Sequence, residues 1–433
     1  MRFSRWCWAV ALVIAAGRLW AREPVALSPA EVERGLLWDR FDLAVGTLSP
    51  VFQLEGFDAR ILYLTGEVEC DLEVQRLGRD DWTKVDSVAA HAGEWMLMPL
   101  DFVRGRQGRL VVTRSEGEVT AFYDHVNRDR RSSAAAVIFD GLVRTATSPL
   151  GDVDGVFGAA DGTNSIVLVE TTPGGAGRGF RLTADLALHP ESAPAAVPPL
   201  NAMPSGTVLA TLADDAASLV VTDVEGRRWR LPRLGPAVGA ASRLVAAACP
   251  GLDVLNAGGT FYELPRSESG GAAEIRPIAT HALMGLRDFT FWNGRLLMTG
   301  VERGFDEGNR RLLADETRTF ALWTGLPSEL PLAGKPRGQG GPWMKTAVKA
   351  GEVSDPYLMH GFDRKLLLLT ADRPLKVRLE LDVTGRGHWA AFKEYTLVGA
   401  DRVLADDIRG VRARWLRVVA GSEGVVTAQL IYR

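Results

Sequence analysis

A chain of 433 residues is too long for one usual core, so two or three domains are expected. Its 50 Lys+Arg against 53 Asp+Glu leave no basic excess, which argues against a nucleic-acid partner. An apolar share of 46% excludes disorder, and three cysteines exclude a disulfide scaffold.

The first segment reads as an export signal. Arg2 and Arg5 make a positive start, Trp6 to Ala16 is an apolar run, and Leu19-Trp20-Ala21 ends on a small residue. That is the order of a secretory signal peptide cut after Ala21. The run falls short of the roughly 20 apolar residues of a bilayer span, and Arg18 interrupts it. The expected location is secreted or periplasmic, with no transmembrane anchor after cleavage. Losing Arg2, Arg5 and Arg18 takes the net charge from −3 to about −6. Residues 22–44 are expected to hold a short helix, opened by Ser28 as cap, Pro29 at the first position and Glu31 three residues after the cap.

Residues 45–125 and 346–433 read as two copies of one β-sandwich module. Val111 to Ala121 and Val418 to Ala428 agree at eight of eleven positions without a gap. The same interval sets Trp82 on Trp389 and Cys70 on Val377. Leu375, Val377, Leu379 and Leu381 alternate with Lys376, Arg378 and Glu380, the period of a half-buried strand. Ser-Glu-Gly at 115–117 and again at 422–424 reads as a hairpin turn. Cys70 shares a strand face with Leu72 and Val74, so a buried free thiol is expected rather than a bridge to Cys249. Trp82 and Trp389 read as core aromatics at strand entry, with a sugar-stacking platform as the other reading.

Residues 126–345 carry recurring β runs. Turn pairs at Glu225-Gly226, Gly258-Gly259 and Asn293-Gly294 follow at intervals of 33 and 35 residues. Gly226-Arg-Arg-Trp229-Arg-Leu231-Pro232-Arg233 is echoed by Gly259-Thr-Phe-Tyr262-Glu-Leu264-Pro265-Arg266. Such repeats point to a β-propeller-like domain of about five blades. Lys335 to Pro356, with Gly338-Gln339-Gly340-Gly341-Pro342, reads as a linker or covering loop. The fold class is therefore all-β, a propeller-like centre flanked by duplicated sandwiches.

Gly334-Lys-Pro-Arg-Gly338, Gly341-Pro-Trp343, Ser354-Asp-Pro-Tyr-Leu-Met359 and Gly361-Phe-Asp363 resemble a group of uncharacterised secreted proteins of environmental, often polysaccharide-degrading, bacteria. Tyr123-Asp124-His125, Asn127-Arg128-Asp129, Thr280-His281 and Asp288-Phe289 are also similar to that group. The resemblance implies a propeller-like body and an extracellular role, and carries over no catalytic residue.

Signature motifs for dinucleotides, phosphates, zinc proteolysis and serine hydrolysis are missing. Asp152-Val-Asp154-Gly155 lacks the third acid and distal Glu of a calcium loop, so no metal and no cofactor is expected. Two polar clusters are the ligand-binding candidates. Asp124, His125, Arg128, Asp129 and Arg131 fall where the first module hands over to the centre, and arginines there suit a carboxylate or acidic sugar. His281, Arg287 and Asp288 open a blade, where a His and a carboxylate suit acid–base work. The expected function is an exported, carbohydrate-associated binding or surface-scaffold protein, its partner an extracellular polysaccharide or glycan. The alternative is a glycoside hydrolase or lyase with its site on the propeller axis, for which Asp140, Asp152, Asp154 and Asp288 are the acids to inspect.

Overall fold

The computed structural model describes residues 32–142, 154–161, 164–172, 175–192, 202–235, 243–281, 286–301, 308–400, 402–408 and 410–433. The signal peptide, the Ser28 helix cap and Asp152 lie outside them. The protein is all-β, with 57% strand and 5% helix. Among the described residues no helix is long and apolar enough to cross a membrane.

The N-terminal end is built from β1 (Val32–Asp42), β2 (Phe52–Gln53), β3 (Ala59–Gln75), β4 (Trp82–Ala90), β5 (Met96–Pro99) and β6 (Gln107–Val126). The residues after the expected helix start thus form a strand. β3 and β6 pair along nearly their whole length. The front half of β3 carries β5 and its back half carries β4. Gly66, at φ 118°, interrupts the pairing midway; a Cβ there would meet the Glu118 carbonyl at 2.6 Å. Apolar residues of both halves, among them Leu62, Leu64, Cys70, Leu72, Leu110 and Val119, form one core, so the sheet doubles over on itself.

The centre follows as short antiparallel sheets. One holds β7 (Asp154–Asp161), β8 (Ser165–Thr172), β9 (Gly175–Leu182) and β10 (Leu188–Glu191). Next come β11 (Leu209–Asp214), β12 (Leu219–Asp223) and β13 (Arg228–Leu231). A third sheet holds β14 (Val245–Cys249), β15 (Leu252–Ala257), β16 (Thr260–Pro265) and β17 (Arg276–Thr280). A fourth holds β18 (Phe289–Trp292), β19 (Arg295–Met298), β20 (Leu312–Ala314) and β21 (Ala321–Gly325). The three spaced turn pairs all fall at hairpins: β12–β13, β15–β16 and β18–β19.

Shared cores give the stacking order. Phe157, Leu168 and Phe180 of the first sheet pack with Leu297 and Leu322 of the fourth. The fourth packs through Phe289, Met298 and Trp323 on Val254, Phe261 and Ile278 of the third. The third packs through Leu255, Tyr262 and Leu264 on Leu219, Val221 and Leu231 of the second. No described core cluster joins the first sheet to the second, so the ring is not seen closed.

The C-terminal end comprises β22 (Gly338–Val348), β23 (Tyr357–Leu358), β24 (Lys365–Ala371), β25 (Pro374–Asp382), β26 (Trp389–Val398), β27 (Leu404–Asp407), β28 (Trp415–Ala420) and β29 (Gly424–Tyr432). Half of the expected linker is therefore a strand, and the strand-bearing C-terminal end begins before residue 346. Its pairing repeats that of the N-terminal end. β22 lies on β29 as β1 lies on β6, and in each pair one tryptophan faces an alanine between two bulges: Trp38 opposite Ala121, Trp343 opposite Ala428. A further bulge recurs at Leu72/Glu73 opposite Asp86/Lys84 and at Leu379/Glu380 opposite Lys393/Ala391. β23 also pairs parallel with β13, which fuses β11–β13 and the β28–β25–β26 layer into one seven-stranded sheet.

Buried aspartates hold the turns. Asp315 accepts main-chain N–H bonds from Thr319 and Phe320 at 2.8 Å each, and Asp223 accepts from Glu225 and Arg227 at 3.0 and 2.9 Å. Burial raises the cost of charge on Asp315, but the Thr317 hydroxyl and these amides outweigh it and hold the carboxyl below its ordinary 3.8. A depressed folded value means stability that is whole above that pH and is lost as pH falls through the folded value. Asp315→Asn is therefore expected to flatten the fall in urea midpoint between about pH 5 and pH 2. An unchanged profile in the variant would show that Asp315 does not titrate with folding.

Candidate ligand groove between the two ends

The handover cluster is tied up internally. Asp124 on β6 is solvent-free and accepts two bonds from Arg34 of β1, at 2.6 and 2.7 Å. His125, on the opposite face of the strand, is buried between Phe57 and Tyr123, with ring centroids 4.2 and 4.5 Å away. The Arg128 amide and the Arg130 guanidinium both bond Asp58. Arg131 forks onto Asp129 at 2.7 Å and donates to the Ile278 and Pro331 carbonyls, strapping this segment to the third central sheet.

The second cluster is equally engaged. Asp288 is solvent-free; it accepts from Nε and Nη2 of Arg243 and from the Phe157 amide, linking the first, third and fourth central sheets. Burial raises its carboxyl above the ordinary range despite Arg243. Arg287 is half-buried, and its carbonyl accepts from the Arg243 amide at 2.9 Å. His281 is half-buried and edge-on to Phe139 at 6.2 Å. Asp140 offers its carbonyl to Asn309 at 2.7 Å. Asp124, His125, His281 and Asp288 share no hydrogen-bond partner with one another in the bonds above, and none of them lines a described cleft. The described residues contain no group of three or more His, Cys, Asp or Glu able to hold a metal. Cys70 and Cys249 are both free thiols, and burial pushes the Cys70 thiol up to about 12.

The paired tryptophans are a different matter. Trp82 opens β4 and Trp389 opens β26, each half-buried and each plated by an arginine: Arg109 lies 4.2 Å from one ring and Arg417 4.4 Å from the other. Each arginine is held by the glutamate after the shared bulge, Glu73 and Glu380, at 2.7 Å. The two trios are the same cross-strand arrangement. A guanidinium fixed over an aromatic face stiffens the ring at little entropic cost.

Only Trp389 opens on a described cleft. A groove of about 340 Å³ runs between the ends, lined among others by Arg40, Trp95, Glu118, Thr120, His388 and Trp389. That is at the small end of the roughly 300–1,000 Å³ range for ligand sites. Its walls are pinned together. The Trp95 indole donates to the Leu381 carbonyl at 3.1 Å, its amide to Ala391 at 2.8 Å, and Tyr63 donates to the Arg412 carbonyl at 2.6 Å. Arg40 sits at φ 58°, a left-handed conformation strained for a side-chain residue, beside the Trp38 bulge, and its amide bonds the Thr120 hydroxyl at 3.2 Å. The groove is thus lined by aromatic side chains beside a cation, a carboxylate, a hydroxyl and an imidazole. Sequence reasoning had marked Trp389; Arg40 and Glu118 come from the far end of the chain and carried no local signal.

No family model matches the chain and no curated protein matches it. Among solved structures it is similar to the PBSX exported protein XepA, with a TM-score of 0.18 and 10% identity over 94% of this chain and 88% of that one. It is similar to a glycoside hydrolase family 43 arabinoxylan arabinofuranohydrolase from Bacillus subtilis, at 0.18 and 10% over 64% and 78%. A variant of the Bacillus subtilis oxalate decarboxylase OxdC follows at 0.17 and 8% over 93% and 68%. Likeness at these TM-scores carries no argument about fold or activity.

Proposed function

We propose that this protein is an exported, carbohydrate-associated binding or surface-scaffold protein, and that an extracellular polysaccharide chain stacks on Trp389 in the groove between its two ends. In this reading the ends are β-sandwich modules and the central sheets are blades of a propeller-like body. The observation that carries the reading is Trp389 itself: half-buried, backed by Arg417 and bordered by polar side chains in a groove. Support for export comes from the leader read in residues 1–21. Asp288, one of the acids named for catalysis, is solvent-free and already bonded to Arg243, which favours binding over hydrolysis at that position.

Affinity electrophoresis through gels of soluble polysaccharides tests it. The wild-type protein should be retarded by at least one, and Trp389→Ala should weaken that retardation about tenfold, the equivalent of about 1.4 kcal/mol. Trp82→Ala should have a smaller effect, since Trp82 lines no described cleft. A wild-type protein that no extracellular polymer retards, or a Trp389→Ala variant that is retarded as strongly, would sink the reading.

A further inference from the structure

The largest of the described clefts, about 550 Å³, lies where the start of β22 and the end of β29 meet Ser133 and Leu234, and it shares no lining residue with the Trp389 groove. Lys335, Arg337, Arg364 and Arg433 line it, and no acidic side chain does. Lys335 is paired with Asp363 at 3.4 Å. Arg109, Arg131, Arg230 and Arg266 are each matched to a carboxylate, whereas Arg337, Arg364 and Arg433 take part in no ion pair among the described residues. Three arginines around one hollow repel one another, a cost that an incoming anion relieves.

The cleft is also partly assembled. Arg337 is fixed from several sides: its amide donates to the Thr280 hydroxyl at 2.9 Å, and its guanidinium to the Ser133 carbonyl at 3.0 Å. Its Nε is buried with no hydrogen-bond partner, a donor left over. Arg364 and Arg433 are exposed and held side by side by a reciprocal pair of main-chain bonds, each 3.1 Å. Residues paired in this way send their side chains to the same face, and guanidiniums take carboxylate and sulfate oxygens through paired N–H donors.

We propose that this cleft binds the anionic groups of an acidic polysaccharide, uronate carboxylates or sulfate half-esters. The proposal rests on the carbohydrate reading above and names its ligand class. Of the arginines that the sequence singled out, Arg131 is engaged with Asp129, and Arg128 gives Asp58 its main-chain amide.

The test is retardation of the full chain by polygalacturonate, by a sulfated galactan and by neutral xylan, at about 10 mM and about 0.5 M salt. The expected result is salt-sensitive retardation by an acidic polymer, reduced tenfold or more in Arg364→Glu/Arg433→Glu and in Arg337→Gln. The first variant changes only exposed side chains, so its fold is safe. Whichever acidic polymer is retarded identifies the group recognised. Retardation by xylan alone, lost in Trp389→Ala, overturns this proposal and leaves the groove reading standing. Retardation by polygalacturonate that the arginine variants do not weaken overturns it, as does equal retention on duplex DNA.

Discussion

Arg34→Ala is expected to cost about 3–5 kcal/mol of unfolding free energy, because it strands a charged carboxylate where no water reaches it. Asp124 is 0% exposed and its oxygens are both taken by Arg34. Burial opposes charge on Arg34, yet Asp124 more than offsets this and holds the guanidinium above its ordinary value. Arg34 also donates to the Val383 carbonyl of the other end and lies 5.4 Å from the Phe122 ring. The lost arginine therefore loosens the seam that fixes the groove. Urea denaturation measures the loss. Arg34→Met combined with Asp124→Leu should recover most of it, since neither charge then remains. A single variant that loses under about 1 kcal/mol would mean that the pair is solvated, as surface pairs are.

Gly341→Ala should be about as damaging. A Cβ at Gly341 would lie 2.0 Å from the Ala428 carbonyl oxygen and 2.7 Å from the Gln429 Cα, both main-chain atoms of β29 that cannot swing aside. The Gly341 amide and carbonyl are already spent on the Ala217 carbonyl at 3.1 Å and the Ser218 hydroxyl at 3.0 Å. The strand must therefore shift against two neighbours at once, for about 3 kcal/mol or more, at the top of the overpacking range. Gln339→Ala, two residues earlier and exposed, is the control and should fall within about 0.5 kcal/mol of wild type. Equal melting of both variants would show that β22 does not approach β29 this closely.

Those glycines explain what the sequence concealed. Gly338 to Pro342 carries every local mark of a loop, and loop composition is what a linker shows. Here glycine serves a close approach of main chains: Gly340, at φ 142°, would bring a Cβ to 2.9 Å from the Ala217 carbonyl. Local reading cannot tell the two uses apart. The matching of the ends was legible because strand period, tryptophan spacing and turn residues all act at short range, and the spaced turn glycines marked hairpins for the same reason. Charged clusters were not legible. Arg34 finds Asp124 across 90 residues and Arg243 finds Asp288 across 45, so a polar cluster in sequence gives no sign that its bonds are already made. The groove was half legible: Trp389 stood out by its twin, while Arg40 and Glu118 belong to the other end.

The parallel join of β13 to β23, carried by Arg230 against Tyr357, changes what the C-terminal copy now is. The Arg230 amide holds the Pro356 carbonyl at 2.7 Å, and its side chain reaches both Asp215 and Asp355, so a sheet begun at Leu209 ends in the strand that bears Trp389. Cutting the gene between these pieces would bare a raw edge on each, inviting stray strands to dock there. The N-terminal copy keeps a core of its own. Two segments with one strand-pairing pattern thus stand unequally: one keeps a core of its own while lending Tyr63, Trp95 and Phe122 to its neighbour's, the other shares a sheet with the centre.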